Sequence, residues 1–190
     1  MICLQPSSGY DLKRRFALTP IGIYQPSSGT LYPALRRLDR MDLVRAQDQS
    51  RPAGQASRHR RGYESTPAGR AAHLSWLRAP VTPATVARDL GLHLMRFVLM
   101  EHQLPPEDVL AFLHDLAGAL AAFTAGMERY AAADTPPGHE HARLAVEHGL
   151  ATHRASLRWV AQAIRALSDP GGAPDPAGTP APAPGSPGRG

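Results

Sequence analysis

Several residue types and patterns are scarce in this chain of 190 residues, and each scarcity excludes something. Cys3 is the only cysteine, which rules out an intrachain disulfide and a thiol-rich metal site. Lysine is equally rare: Lys13 stands alone among 21 basic residues, so any basic surface is built from arginine. Aromatic residues make up 6% against 43% hydrophobic residues, and a core must therefore be packed mainly from Leu, Val and Ala. No uninterrupted apolar run reaches about eighteen residues, so no membrane-spanning helix is expected. The first residues lack the basic and apolar parts of a signal peptide, and a cytoplasmic location is the default expectation. A phosphate-cradling glycine loop, a nucleophile elbow and paired carboxylates in a defined turn are all missing. Ser27, Ser28 and the histidines have no triad-like spacing, so no catalytic residues and no cofactor are expected.

What is present is unevenly distributed. Residues 1–78 hold 13 Lys+Arg against 5 Asp+Glu, a net of +8, whereas residues 79–190 hold 8 against 11, a net of −3. A basic half joined to a mildly acidic one suggests that one half meets a polyanion; a solvated basic surface without a partner is the plainer alternative. The wealth of Arg, Ala, Gly and Pro suggests a GC-rich bacterial genome. From Pro170 onward, 13 of 21 residues are Pro or Gly, and nothing there can bury a face, so a disordered tail is expected over 169–190.

Local patterns divide the rest. A first helix is expected from about Ser8 to Leu18, capped by Ser7 or Ser8, with Tyr10, Leu12 and Phe16 as its apolar positions. Thr19-Pro20-Ile21-Gly22 breaks the chain. A second helix follows Pro26, with Ser27, Ser28 or Thr30 available as caps and Pro33 expected near its first turn. Leu31, Leu35 and Leu38 form its buried stripe, leaving Arg36, Arg37 and Arg40 to point away. Leu43-Val44 opens an extended segment, residues 48–62 form a basic loop, and Tyr63-Glu64 begin a return strand. Thr66-Pro67 starts another helix, the hydroxyl as cap and the proline at the first helical position. Two helices, a hairpin with a basic loop and a further helix make the plan of a winged helix, in which the second helix meets the major groove and the loop lies against phosphates.

Four motifs in this order carry a resemblance: Ser8-Gly9-Tyr10-Asp11-Leu12, GTLYPALRRL from Gly29 to Leu38, Leu43-Val44, and Tyr63-Glu64 with Thr66-Pro67-Ala68-Gly69-Arg70. Over roughly residues 7–78 the chain resembles the PadR family of bacterial transcription regulators, mostly repressors. The resemblance implies that the Gly29–Arg40 segment is a recognition helix, that Tyr32 approaches the DNA backbone and that the Gln49–Gly62 stretch is the wing. The family has a complete helix before Ser8 where this chain has Met1 to Pro6, so a truncated first helix is expected. Asp42 stands where a glycine usually precedes Leu-Val, in a left-handed position that Asp tolerates.

The resulting expectation is a mainly α protein: a winged helix-turn-helix DNA-binding domain with a short β-hairpin wing over 1–78, then antiparallel helices for dimerisation and effector binding over 79–168. Candidate DNA contacts are Ser28, Thr30, Tyr32, Arg36, Arg37 and Arg40 on the recognition helix and Arg51, Arg58, Arg60 and Arg61 in the wing. Solvent exposure with pairing to Asp39 or Asp42 is the alternative for Arg36 and Arg37. An apolar helix at 83–102 carries Leu90, Leu94 and Phe97. Val109, Leu113, Leu116, Leu120, Phe123, Met127 and Tyr130 then alternate four and three apart, as do Val146, Leu150, His153, Leu157, Val160, Ile164 and Leu167. The two stripes pack either on each other as an internal hairpin or on a second subunit. The dimer reading assigns Leu90, Leu94, Phe97, Leu113, Leu116, Leu120, Phe123, Leu157, Val160 and Ile164 to the interface. The expected partners are double-stranded DNA with two half-sites and a second copy of the chain, with no membrane. A cleft beside the 83–102 helix, edged by Trp76 or Trp159, suits an aromatic or lipophilic effector, and by the resemblance some family members release DNA on binding such compounds; a filled dimer core with no cavity is the alternative. Neither the His141/His148 nor the His148/His153 spacing suits a helical metal pair, and no metal is expected. The competing function is a protein-interaction module derived from a winged helix that no longer binds DNA.

Overall fold

The computed structural model describes residues 2–3, 5–18, 27–48, 61–132 and 140–169. Their order is β1 (Ser7–Ser8), α1 (Gly9–Leu18), α2 (Ser28–Arg40), β2 (Val44–Asp48), β3 (Arg61–Ser65), α3 (Pro67–Leu77), α4 (Pro83–Met100), α5 (Pro106–Ala132) and α6 (Glu140–Ser168). Mostly helical, with one small antiparallel sheet of strand order β1-β3-β2, this is a winged-helix unit followed by three longer helices.

Side chains at the helix starts explain where the chain turns. Ser8 accepts from the Asp11 amide at 3.2 Å while its own amide donates to Asp11 Oδ2 at 3.2 Å, a reciprocal cap that starts α1. Ser27 caps α2 by accepting from the Thr30 amide at 3.2 Å. Ser27 is the earliest of the three caps the sequence offered, and this start puts Pro33 in the second turn rather than the first. The amide that Pro33 lacks would have met the Gly29 carbonyl, on an exposed turn where water can replace it. After α2 the chain reverses through Asp42 at φ 53°, the left-handed position expected of it.

Thr66 ties the sheet to α3. Its hydroxyl donates to the Asp42 carbonyl at 2.6 Å and accepts from the Gly69 amide at 3.0 Å, and its amide donates to the Leu43 carbonyl at 3.2 Å. The approach is so close that a Cβ on Gly69 would lie 1.8 Å from the Leu43 carbonyl oxygen. Strand β2 then pairs with β3 from Val44↔Ser65 to Asp48↔Arg61. The sequence pattern gave a two-stranded hairpin. The third strand was missed because two serines carry no alternation, yet Ser7 and Ser8 pair with Tyr63 and Gly62.

Two apolar clusters result. Leu12, Leu31, Leu35, Val44 and Tyr63 fill the winged helix. Leu77, Val86, Met100, Phe112, Leu113, Leu116, Leu120 and Val160 fill the helical body. The α5 and α6 stripes meet each other within one protomer. This corrects part of the interface assignment: Leu113, Leu116, Leu120 and Val160 are fully buried, and such side chains have no surface to give a partner. Leu90, Leu94, Phe97, Phe123, Leu157 and Ile164 are half-buried. Helix α5 has the length and mean hydropathy, 1.5, of a membrane span despite lacking a long uninterrupted apolar run. Leu113, Leu116 and Leu120 of α5 are buried in the core of the helical body.

Because the Gly69 approach is made by backbone on both sides, Gly69→Ala should destabilise the fold by about 3 kcal/mol. Urea unfolding of the variant against the parent chain checks this; an unchanged midpoint would contradict the packing described.

Candidate nucleic-acid interface

The outer face of α2 is cationic for a simple reason. Leu31 and Leu35 are buried against α1 and β2, which turns Arg36, Arg37 and Arg40 to solvent, where all three are exposed. Among the described residues no ion pair joins them to Asp39 or Asp42. Asp39 is used differently: Oδ1 accepts from the Ala46 amide at 3.2 Å and so ties α2 to β2. The arginines therefore keep their charge available to an outside group.

At the N-terminal end of α2, Ser28 and Thr30 are exposed. Thr30 Oγ1 lies 2.9 Å from Ser27 Oγ, within the cap, and Ser28 Oγ accepts from Lys13 Nζ at 3.4 Å. Lys13 thus joins the same surface from α1, a placement the sequence reading missed. Tyr32 is half in and half out: it is 43% exposed, and its ring lies so near α1 that a Cβ on Gly9 would come within 2.6 Å of Cε1. Gly9 is what lets α1 and α2 approach there, with Tyr32 as the spacer between them. Arg45 on β2 and Arg70 on α3 are exposed as well. Of the wing candidates, Arg51, Arg58 and Arg60 lie outside the described residues. Arg61 opens β3 opposite Asp48, and its side chain is likewise outside them.

Behind this surface lies an apolar cavity of about 440 Å³. Leu12, Phe16, Leu31 and Leu38 of the winged helix form one wall, Trp76 of α3 a second, and Met95, Val98 and Leu99 of α4 a third. Its titratable lining groups are the Cys3 thiol and the His73 imidazole. His73 stacks on Trp76 with centroids 5.8 Å apart. Burial, with the N-terminal amine second, holds its pKa below the ordinary 6.5. Of the two tryptophans named from the sequence, Trp76 lines the cavity, while Trp159 packs edge-on against Phe97 at 5.5 Å in the helical core.

Residues 1–74 match the model of the Transcriptional regulator PadR-like family. Among solved structures the chain is similar to Bacillus subtilis PadR in complex with operator DNA, with 14% identity, covering 85% of this chain and 91% of that one, at a TM-score of 0.38. A PadR-like transcriptional regulator from Bacillus cereus gives 17% identity, 89% and 94% coverage and a TM-score of 0.34. The p-coumaric acid complex of Bacillus subtilis PadR gives 15%, 87% and 92%, and 0.35. No curated protein sequence matches the chain significantly.

Two further histidines share the condition of His73. His93 is lowered by burial first and then by the neighbouring Arg96 charge; His153, edge-on to Phe123 at 4.9 Å with Nδ1 unpartnered, is lowered by burial. A folded-state pKa below the unfolded value means that, as pH falls through this range, the folded protein binds fewer protons than the unfolded chain. The associated stability is present above about 6.5 and is lost as pH drops through the lowered values. Thermal midpoints should therefore fall between pH 7 and 5, and His153→Leu should make that fall shallower. A midpoint constant over this range would contradict the assignment.

Proposed function

With a PadR-like segment at its N-terminus, we propose that this chain is a sequence-specific DNA-binding transcriptional regulator acting as a repressor in the cytoplasm. The observation that carries the reading is the row of exposed Arg36, Arg37 and Arg40 on α2, uncompensated by Asp39 or Asp42. Guanidinium groups on a groove-sized helix suit bidentate contact with guanine edges and phosphates. Lys13, Ser28 and Thr30 at the start of α2 suit phosphate contact, which sets register rather than sequence preference. The wing arginines Arg51, Arg58, Arg60 and Arg61 supply further phosphate neutralisation.

Regulation of a palindromic site calls for two copies, and we take the second copy to dock on the half-buried surface of α4, α5 and α6. Leu90, Leu94, Phe97, Phe123, Leu157 and Ile164 remain the interface candidates, joined by the exposed Leu92, Leu144 and Leu167. Two winged helices related by a two-fold axis would meet half-sites about one or two helical turns apart. The cavity between the winged helix and α4 is the place for an aromatic or lipophilic effector, because a ligand there touches α2, α3 and α4 together. A ligand that fits only one disposition of these helices shifts the DNA affinity by its own preference between dispositions.

Binding to duplexes from the chain's own promoter region, read by fluorescence anisotropy, should weaken steeply with salt. Arg36→Ala should cost about 1–3 kcal/mol on the specific site and less on random DNA. No binding at low salt, with the chain folded, would remove the regulator reading and favour a protein-interaction module. Titration with neutral aromatic compounds should change Trp76 emission and lower DNA affinity in parallel. A flat emission response across such compounds, with DNA binding intact, would count against the effector site.

A further inference from the structure

Helix α4 is broken in its middle. Asp89 has φ −162° and ψ 84°, and its Oδ1 accepts from the Leu92 amide at 3.0 Å, as an N-cap does for a helix starting afresh. Across the break, the His93 ring of the second half interacts with the Thr85 backbone of the first. One turn on, Arg96 Nη1 lies 3.3 Å from His93 Nδ1, so the ring accepts from the guanidinium. Arg96 Nη2 donates to the Leu77 carbonyl at 2.9 Å and to the Ala79 carbonyl. The guanidinium carbon also lies 5.0 Å from the centre of the Phe112 ring of α5.

His93 and Arg96 are each only 3% exposed. Among the described residues no carboxylate pairs with Arg96. Its charge is balanced by the carbonyls that end α3 and by an aromatic face, which are favourable surroundings for a cation. Those carbonyls belong to the last helix of the winged-helix unit, while Arg96 and Phe112 belong to the helical body. If α3 swung away, a buried charge would lose its acceptors, and that is heavily penalised. On the solvent side of the same corner, Arg78 bonds Asp108 of α5 at 2.9 Å.

We propose that Arg96 is a positioning residue that fixes the angle of the winged helix on the helical body, with Asp89 and His93 holding α4 in the broken form that presents it. The same angle sets the distance between the cavity walls on α3 and α4, so the latch and the cavity report on one motion. The consequence for operator spacing rests on the DNA-binding reading; the latch itself does not.

The test is a distance measurement between spin labels at the exposed positions Ser75 on α3 and Ala121 on α5, in a Cys3→Ser background diluted with unlabelled chain. The parent should give one narrow distribution, and Arg96→Met a broader or shifted one with helix content retained. Should R96M fail to fold, Arg96→Gln, which keeps a single donor, carries the same expectation. A narrow, unshifted distribution in the folded variant overturns the proposal. On DNA, R96M should lose preference among half-site spacings while keeping its salt dependence. Broadened distances with no DNA binding by the parent at any spacing would support the latch and sink the regulator reading instead.

Discussion

The side chain of Leu77, last residue of α3, has no accessible surface and lies in the core formed with α4, α5 and α6. Its burial contributes about 2 kcal/mol of hydrophobic stabilisation, and it imposes a constraint larger than that figure. The winged-helix unit is thereby anchored to the helical body through the end of one helix. Carbonyls at a helix end have no partners of their own, and here they are drawn into the interior with the leucine. Arg96 answers them, and a guanidinium so deep in the protein then needs His93 and the face of Phe112 around it. The break at Asp89 leaves His93 interacting with the Thr85 backbone across it. Each of these features follows from fixing α3 at that corner.

Distance from the corner decides what the remaining surfaces do. The cationic face of α2 is built by burying Leu31 and Leu35 on its opposite side, so its charge display depends on the small winged-helix core. That core is only partly closed toward α4, and the space left over is the apolar cavity. A site that shares walls with both the charged helix and the anchored one is well placed to couple small-molecule occupancy to the charged face.

The helices were largely legible in the sequence, for reasons that can be stated element by element. Thr66-Pro67 marks the start of α3 because a hydroxyl cap followed by proline has few other uses. Asp42 marks the left-handed residue after α2 because aspartate tolerates that conformation. The strand at Ser7–Ser8 was not legible: it gains its pairing from β3, and nothing in two serines announces a partner more than fifty residues away. The alternating stripes on α5 and α6 were read correctly as stripes, but a stripe does not say what covers it. Leu113, Leu116 and Leu120 are buried in the core of their own chain and leave no surface for a second copy. Arg96 was invisible as well, because an arginine in an apolar helix gives no hint of bonding carbonyls 17 and 19 residues back. Of the candidate DNA contacts, Arg36, Arg37 and Arg40 do share one exposed face, and Lys13 adjoins it through a contact that only the packing of α1 on α2 creates.

The central claim is that the face of α2 is the surface that meets DNA. Amide hydrogen exchange of the full chain, with and without duplex DNA from its own promoter region, addresses it most directly. Slowed exchange concentrated in Ser28–Arg40 and in the residues following β2, with α5 and α6 little changed, is the predicted result. Complex formation that leaves α2 unprotected and slows exchange elsewhere would contradict it.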